Sequence, residues 1–334
     1  MKTKYGSTYI RIQQKNFKEY PDCPDIVNEF LRNIIVVDGK ALNTANTYYT
    51  RIRLFLRYIK MLRDDISEND YENISIRDIG DADLTAVTSD DILNYLLFCA
   101  RSGDVASTRS AKLSPIKSFY KFACVSYPDL YKNNPAITVD RPKLPKLLPK
   151  YLTEDEARDL LDAAKKTSMP ARDYCIVTLF LHCALRLSEL VSINISNIRE
   201  DTIKIIGKGN KERTLYLDPI CRKAIDDWLE VRKTINPLLD MQALFVSAKR
   251  RNRLTPRRIQ KIIEQCLKMA GLSGNGYSTH KLRHTSATLM YDGGADILEL
   301  QQILGHEHTT TTEIYTHVNN KRLKNAVANN PLNK

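Results

Sequence analysis

No stretch of this 334-residue chain holds the ~18–20 consecutive apolar residues needed to cross a bilayer. The densest apolar run, 175–185, is short and carries His182. The opening MKTKYGSTYI is charged with no apolar segment behind it, so no secretory signal is expected. Seven cysteines, odd in number and scattered, form no C-x-x-C pair. That argues against a disulfide framework and a cysteine zinc site, and points to a reducing cytoplasm. The phosphate-cradling GxxxxGK[ST] and the zinc-binding HExxH are both missing, so neither nucleotide hydrolysis nor zinc-dependent proteolysis is indicated. No internal repeat or low-complexity tract is present. Membrane, secreted and disordered classes fall away.

What remains is a globular composition, 43% hydrophobic and 27% charged, with a net charge of +12. A basic excess of this size suits a polyanionic partner, most simply nucleic acid, although a basic surface also serves solubility. One segment breaks the pattern. Residues 133–150 hold prolines 135, 142, 145 and 149. Proline fixes its own φ and biases its predecessor toward extended backbone, so a semi-rigid linker is expected here.

Before the linker, apolar residues recur at helical spacing over 25–37, 44–62, 89–101 and 107–125. Ser89 is the expected cap of the third helix, and Pro115 predicts a kink or a late start in the fourth. Arg53, Arg57 and Lys60 share one face of the second helix, and Lys112, Lys117 and Lys121 mark the fourth. After the linker, Thr153 and Glu156 form a capping box. A buried helix is expected over 171–192. Two alternating segments, 202–206 and 212–217, flank a Gly/Asn turn and predict a hairpin. A helix at 219–234, a short strand at 244–246, and helices at 256–270, 280–293, 297–304, 309–315 and 321–329 follow. The expected fold is mainly α with a small antiparallel β-hairpin in the second domain. Its parts are an extension over 1–24, an all-α domain over 25–132, the linker, and a mixed α+β domain over 151–334.

Four places carry chemistry. Arg186 interrupts an apolar helix, and Glu189 three residues on shares its face. This is either a structural ion pair or an arginine aimed at an anion, which a planar guanidinium suits. The turn 207–213 projects Lys208 between glycines, a pattern that surface decoration also produces. His280 and Arg283 lie one turn apart near a helix start, where free N–H groups attract anions. His280 and His284 also have the i, i+4 spacing of a zinc helix, but no carboxylate stands between them. Finally, His306 precedes Tyr315 by nine positions, and a tyrosine alone is most simply a packing residue.

Taken in order, the strings CALRLSEL, GKGNKER, HKLRHTSAT and LGHEHTTTTEIYTHV resemble the tyrosine recombinase (phage integrase) family, its Xer-type members in particular. The resemblance covers the whole second domain, and the first domain is more loosely similar to that family's helical core-binding domain. It implies a site-specific DNA recombinase. Arg186, Arg283 and His306 would hold the scissile phosphate, with Tyr315 as nucleophile, His280 as base, Lys208 as acid and Glu189 as support. No ATP, metal or other cofactor is implied. The partners implied are double-stranded DNA and further copies of the chain, four around two sites, joined through the tail helix over 321–329. Phosphate contacts are expected from Arg53, Arg57, Lys112, Lys117, Lys146, Arg250, Arg251, Arg257 and Arg258. Residues 1–24 leave no room for an additional arm-binding domain, so simple recombination sites are expected. The alternatives are a type IB topoisomerase, a non-catalytic DNA-binding protein on the same scaffold and, more remotely, a zinc hydrolase.

Overall fold

The computed structural model describes residues 17–144, 150–207 and 212–305. Lys146, Lys208, His306, Tyr315 and the tail helix lie outside the described residues. The chain divides into two compact units, Met1–Lys146 and Leu147–Lys334.

Among its described residues the first unit contains helices and no strand. Helices α1 (Asp25–Val36), α2 (Leu42–Arg63), α3 (Asp81–Ala86), α4 (Ser89–Arg101) and α5 (Ala106–Ser126) follow in order, with a longer connection over 64–80 that holds a 3-10 helix at Glu68–Asn73. Helix α1 buries Ile26, Val27, Phe30, Leu31, Ile34 and Ile35, the i, i+4 stripe of the sequence and its neighbours. That stripe packs on α2 and α5, where Phe30 meets Phe119 edge-on at 5.8 Å. The cap of α4 is Thr88, one residue before the expected Ser89. Its hydroxyl accepts from the Asp91 amide, and the Asp91 carboxylate accepts the Thr88 amide in return. Pro115 sits buried inside α5 without ending it. The linker expectation needs trimming, because Ala136 and Val139 are buried in this unit's core. Residues 133–140 therefore pack with the first unit.

The second unit is built around α7 (Pro170–Cys183), which packs against α6 (Glu154–Ala164), α9 (Pro219–Lys233) and α11 (Thr279–Asp292). Strands β1 (Thr202–Ile206) and β2 (Glu212–Tyr216) pair antiparallel, with Ile205 opposite Arg213 and Ile203 opposite Leu215. Ile203, Ile205 and Leu215 point inward. Trp228 is fully buried on α9 and donates its indole N–H to the Leu244 carbonyl at 2.9 Å. The expected strand at 244–246 is reduced to isolated bridges, Asn194 to Ala243 and Val246 to Arg253. Helices α10 (Pro256–Met269) and α12 (Ile297–Leu304) complete the unit.

One expectation is corrected here, because the helix over 171–192 is not continuous. It stops at Cys183, turns through Ala184 in the left-handed region (φ 48°, ψ 37°), and resumes as α8 (Leu187–Ser192) with Arg186 extended as its N-cap. An unpaired guanidinium inside an apolar helix would be costly to desolvate. The break turns the Ala184 carbonyl toward Arg283 and the Arg186 amide toward Glu189.

Candidate active site

Glu189 is the centre of the site. Its side chain is only 2% exposed, on a helix of six residues, and it meets three arginines from three other places in the sequence. Arg186 donates from Nη1 to Oε1 at 2.8 Å and from its backbone amide to Oε2 at 2.8 Å. Arg213 on β2 forms a fork, Nη1 to Oε1 at 2.8 Å and Nη2 to Oε2 at 2.9 Å. Arg283 on α11 lies 3.7 Å from Oε2. Burial alone pushes the Glu189 carboxyl upward. The Arg213 fork, the Arg186 amide and the guanidinium charges outweigh it and leave the group below its ordinary value. The carboxylate is therefore ionised at neutral pH, and three guanidiniums around one carboxylate leave the cluster net positive.

The same arginines bind the end of α12. A helix terminus leaves carbonyls without intrahelical partners, and its dipole is negative there. Arg213 Nε donates to the Ile303 carbonyl at 3.1 Å and Arg283 Nη2 to Leu304 at 2.6 Å. Arg186 Nη2 reaches Gly305 at 3.5 Å. Arg283 Nη1 also donates to the Ala184 carbonyl at 2.6 Å, which accounts for the break before α8. The helix that leads into His306 is thus held against the arginine cluster. Gly305 is left-handed (φ 61°), and a Cβ there would lie 3.2 Å from Arg213 Nη1. The backbone conformation favours glycine, and any side chain there would also press on Arg213.

His280 sits in the first turn of α11, whose N-terminus is capped by the Ser278 hydroxyl. Burial, then the charges of Arg283, Lys281 and Arg186, lower its pKa, so the imidazole stays neutral at physiological pH and is free to accept a proton. Its Nε2 lies 3.1 Å from Nε2 of His284, with the two rings edge-on.

Of the sequence-predicted residues, the structure brings together Arg186, Glu189 and Arg283, with His280 within reach of their charge. Lys208, His306 and Tyr315 belong to segments outside the described residues, each attached to an element that the cluster holds: β2 for Lys208, α12 for the other two. Arg213 and the carbonyls of Ala184, Ile303 and Leu304 were not anticipated, and His284, weighed in the sequence only as a zinc partner of His280, instead sets its ring edge-on against that imidazole. Arg213 did carry a signal, since period-2 alternation places it on the same inward face as Leu215.

The expected phosphate contacts vary in their surroundings. Arg57 donates to the Ile74 carbonyl at 3.0 Å, and Lys112 pairs with Asp104 at 2.6 Å. Arg53 lies over the Tyr49 ring, 3.9 Å from Asp22, and Lys117 is half-buried. Arg250, Arg251, Arg257 and Arg258 are exposed. Arg253 in the same basic run is structural, binding Asp240, Asn194 and the carbonyls of Val191 and Ile193. Among the described residues, one group with metal-ligating atoms lies within 4.8 Å: His182, Asp218 and Cys221. There both Asp218 oxygens are already engaged, one by the Cys221 amide and one by His182.

An arginine cluster steadied by one buried carboxylate, beside a neutral histidine, is the equipment of a phosphoryl-transfer site. Residues 150–322 match the model of the phage integrase family. The chain belongs to that family, the tyrosine recombinases, enzymes that cleave and rejoin DNA strands. Within it the relatives are Xer-type. Tyrosine recombinase XerC of Caldanaerobacter subterraneus subsp. tengcongensis is 40% identical over 326 residues, 97% of this chain and 91% of that protein. The fold is shared with the XerH site-specific recombinase bound to palindromic difH substrate, with a TM-score of 0.66 and 20% identity over 97% of this chain and 94% of that one. It is also shared with a lambda integrase tetramer bound to a Holliday junction, with a TM-score of 0.63 and 18% identity over 87% and 76% of the two chains.

Proposed function

We propose that the Glu189-centred cluster is the phosphate-holding half of a strand-exchange site that works through Tyr315. In-line displacement at a phosphodiester builds negative charge on the oxygens around phosphorus, so fixed guanidinium groups do most of the catalytic work. Arg186 and Arg283 hold the nonbridging oxygens, and His306 adds a hydrogen bond. The Tyr315 phenol oxygen attacks phosphorus while its proton passes to His280. The bond to the 5′-oxygen breaks, and Lys208 supplies that oxygen with a proton. The product is a 3′-phosphotyrosyl link and a free 5′-hydroxyl. Attack by another 5′-hydroxyl reverses these steps on a new partner strand, and the retained phosphodiester energy makes ATP unnecessary. In this reading the arginines supply the charge that a metal would otherwise bring.

The observation that carries the reading is the meeting of Arg186, Arg213 and Arg283 on one buried carboxylate at the end of the helix that enters His306. Domain roles follow the same logic: the all-α unit and the second unit each bind the duplex, and the remainder of the proline-rich segment joins them. Arg53, Arg57, Lys112, Lys117, Lys146, Arg250, Arg251, Arg257 and Arg258 are proposed to contact phosphates. Oligomerisation is proposed through the tail over 321–329. The proposed seat for that segment from another copy is a cavity of about 670 Å³ whose apolar residues Leu161, Leu181, Leu289 and Met290 share the lining with charged Glu154, Arg158, Asp162, Lys165 and Asp218. The test is to mix the purified chain with fragmented genomic DNA from the cell that carries its gene, then recover and sequence DNA that stays attached in detergent. Two copies of the recovered sequence on one plasmid should recombine. Relaxation of a plasmid bearing no such sequence, without exchange, would favour the topoisomerase.

A further inference from the structure

Arg213 has the geometry of a clamp. Its side chain is 15% exposed, and each of its three guanidinium nitrogens makes a bond: two to Glu189 and one to the Ile303 carbonyl. It therefore joins a strand, the short helix α8 and the C-terminus of α12 through a single planar group. Gly305 lies directly against it, so close that an added Cβ would meet Nη1, Cδ and Cζ at 3.2, 3.3 and 3.5 Å. The flanking residues of β2, Glu212 and Thr214, face solvent, whereas Arg213 shares the inward face with Leu215.

We infer that Arg213 is a positioning residue of the cleavage reaction. It fixes the end of α12, and with it the chain entering His306, at a set distance from the Arg186–Glu189–Arg283 cluster. Because β2 also leaves the hairpin that carries Lys208, the same contact anchors that hairpin's base to the site. Arg213 acts through Glu189 and Ile303, while Arg186 and Arg283 are the arginines that touch phosphate; the catalytic part of the inference rests on that assignment. A lysine at this position keeps the charge opposite Glu189 but, with one nitrogen, cannot hold two carboxylate oxygens and a carbonyl together. An Ångström of slack at such a site costs about 10²-fold in rate.

The test uses Arg213→Lys, Arg213→Ala and, approaching the same contact from the other side, Gly305→Ala. The probe is the duplex recovered by detergent-resistant attachment to the unsubstituted chain. The expected result is covalent attachment at saturating DNA slowed about 10²-fold in all three, with duplex affinity within about threefold and no rescue by lysine. Amide hydrogen exchange of the free proteins should rise at least tenfold in Ile297–Leu304 and stay unchanged in Pro256–Met269. Full rate in Arg213→Lys would show that charge alone matters and overturn the inference. So would a parallel loss of affinity and rate, or unchanged exchange in Ile297–Leu304. If the unsubstituted chain attaches to no DNA, the Tyr315 assignment fails instead, and exchange alone decides whether the clamp exists.

Discussion

Replacing Glu189 by alanine removes the carboxylate that three guanidiniums share. Arg283 and Arg213, 4% and 15% exposed, then face one another without it. Breaking a buried pair by deleting one partner costs about 3–5 kcal/mol, because the surviving charge is left uncompensated. The Arg186 pair adds little, since 36% of that side chain is in water and screened. For a domain of this size about 1 kcal/mol moves the unfolding midpoint by roughly 2–4 °C, so a drop on the order of 10 °C is expected by calorimetry. Sulfate should return part of the loss, because a dianion can take the carboxylate's place among the arginines. The pH dependence has a definite sign. Glu189 titrates below its ordinary value in the folded chain, so its contribution is present above about pH 4.3 and disappears as pH falls through the lower folded value. The stability gap between the unsubstituted chain and Glu189→Gln should therefore be open at pH 7, begin to narrow below about pH 4.3 and close only once pH has passed the lower folded value. A midpoint shift under about 2 °C in Glu189→Ala, or a gap that persists in acid, would refute the claim that the carboxylate holds the cluster.

Other outcomes are specific to the proposed chemistry. Arg283→Ala should slow covalent attachment about 10²–10³-fold, measured in a single turnover, while duplex affinity falls much less. With His280 as base, the attachment rate should hold its plateau to below pH 6.5 and fall only as the depressed imidazole titrates; a fall centred above pH 7 would remove His280 from that role. Chelation by EDTA should leave cleavage unchanged. Deleting residues 321–334 should spare attachment to a single site but abolish exchange between two, read by gel analysis of the products.

The helices were legible wherever one face is apolar over several turns, as in α1 and α10, because burial of a stripe is what forms them. Helix α3 escaped notice because six residues carry too little periodicity. The break at 184–186 was hidden for another reason. Apolar residues continue through it, and what ends α7 is Arg283, which takes the Ala184 carbonyl from about a hundred residues away. A capping residue was misplaced by one because Thr88 and Ser89 offer the same hydroxyl. The buried half of the proline-rich segment misled through composition, since proline signals extended backbone but says nothing of whether Ala136 and Val139 pack. In the site, residue types with distinctive chemistry were readable from the strings that contain them. The carbonyls of Ala184, Ile303 and Leu304 were not, because every residue has one and only the fold decides which face an arginine. Arg213 lies between these cases: its inward register was readable, while its bond to α12 was not.

The most direct measurement is to trap the covalent complex with the recovered duplex, digest both components, and identify the residue bearing the nucleotide by mass spectrometry. The account predicts a 3′-phosphate on Tyr315 and no attachment in Tyr315→Phe, which should still bind the duplex. Attachment at any other residue, or an undiminished complex in Tyr315→Phe, would contradict it.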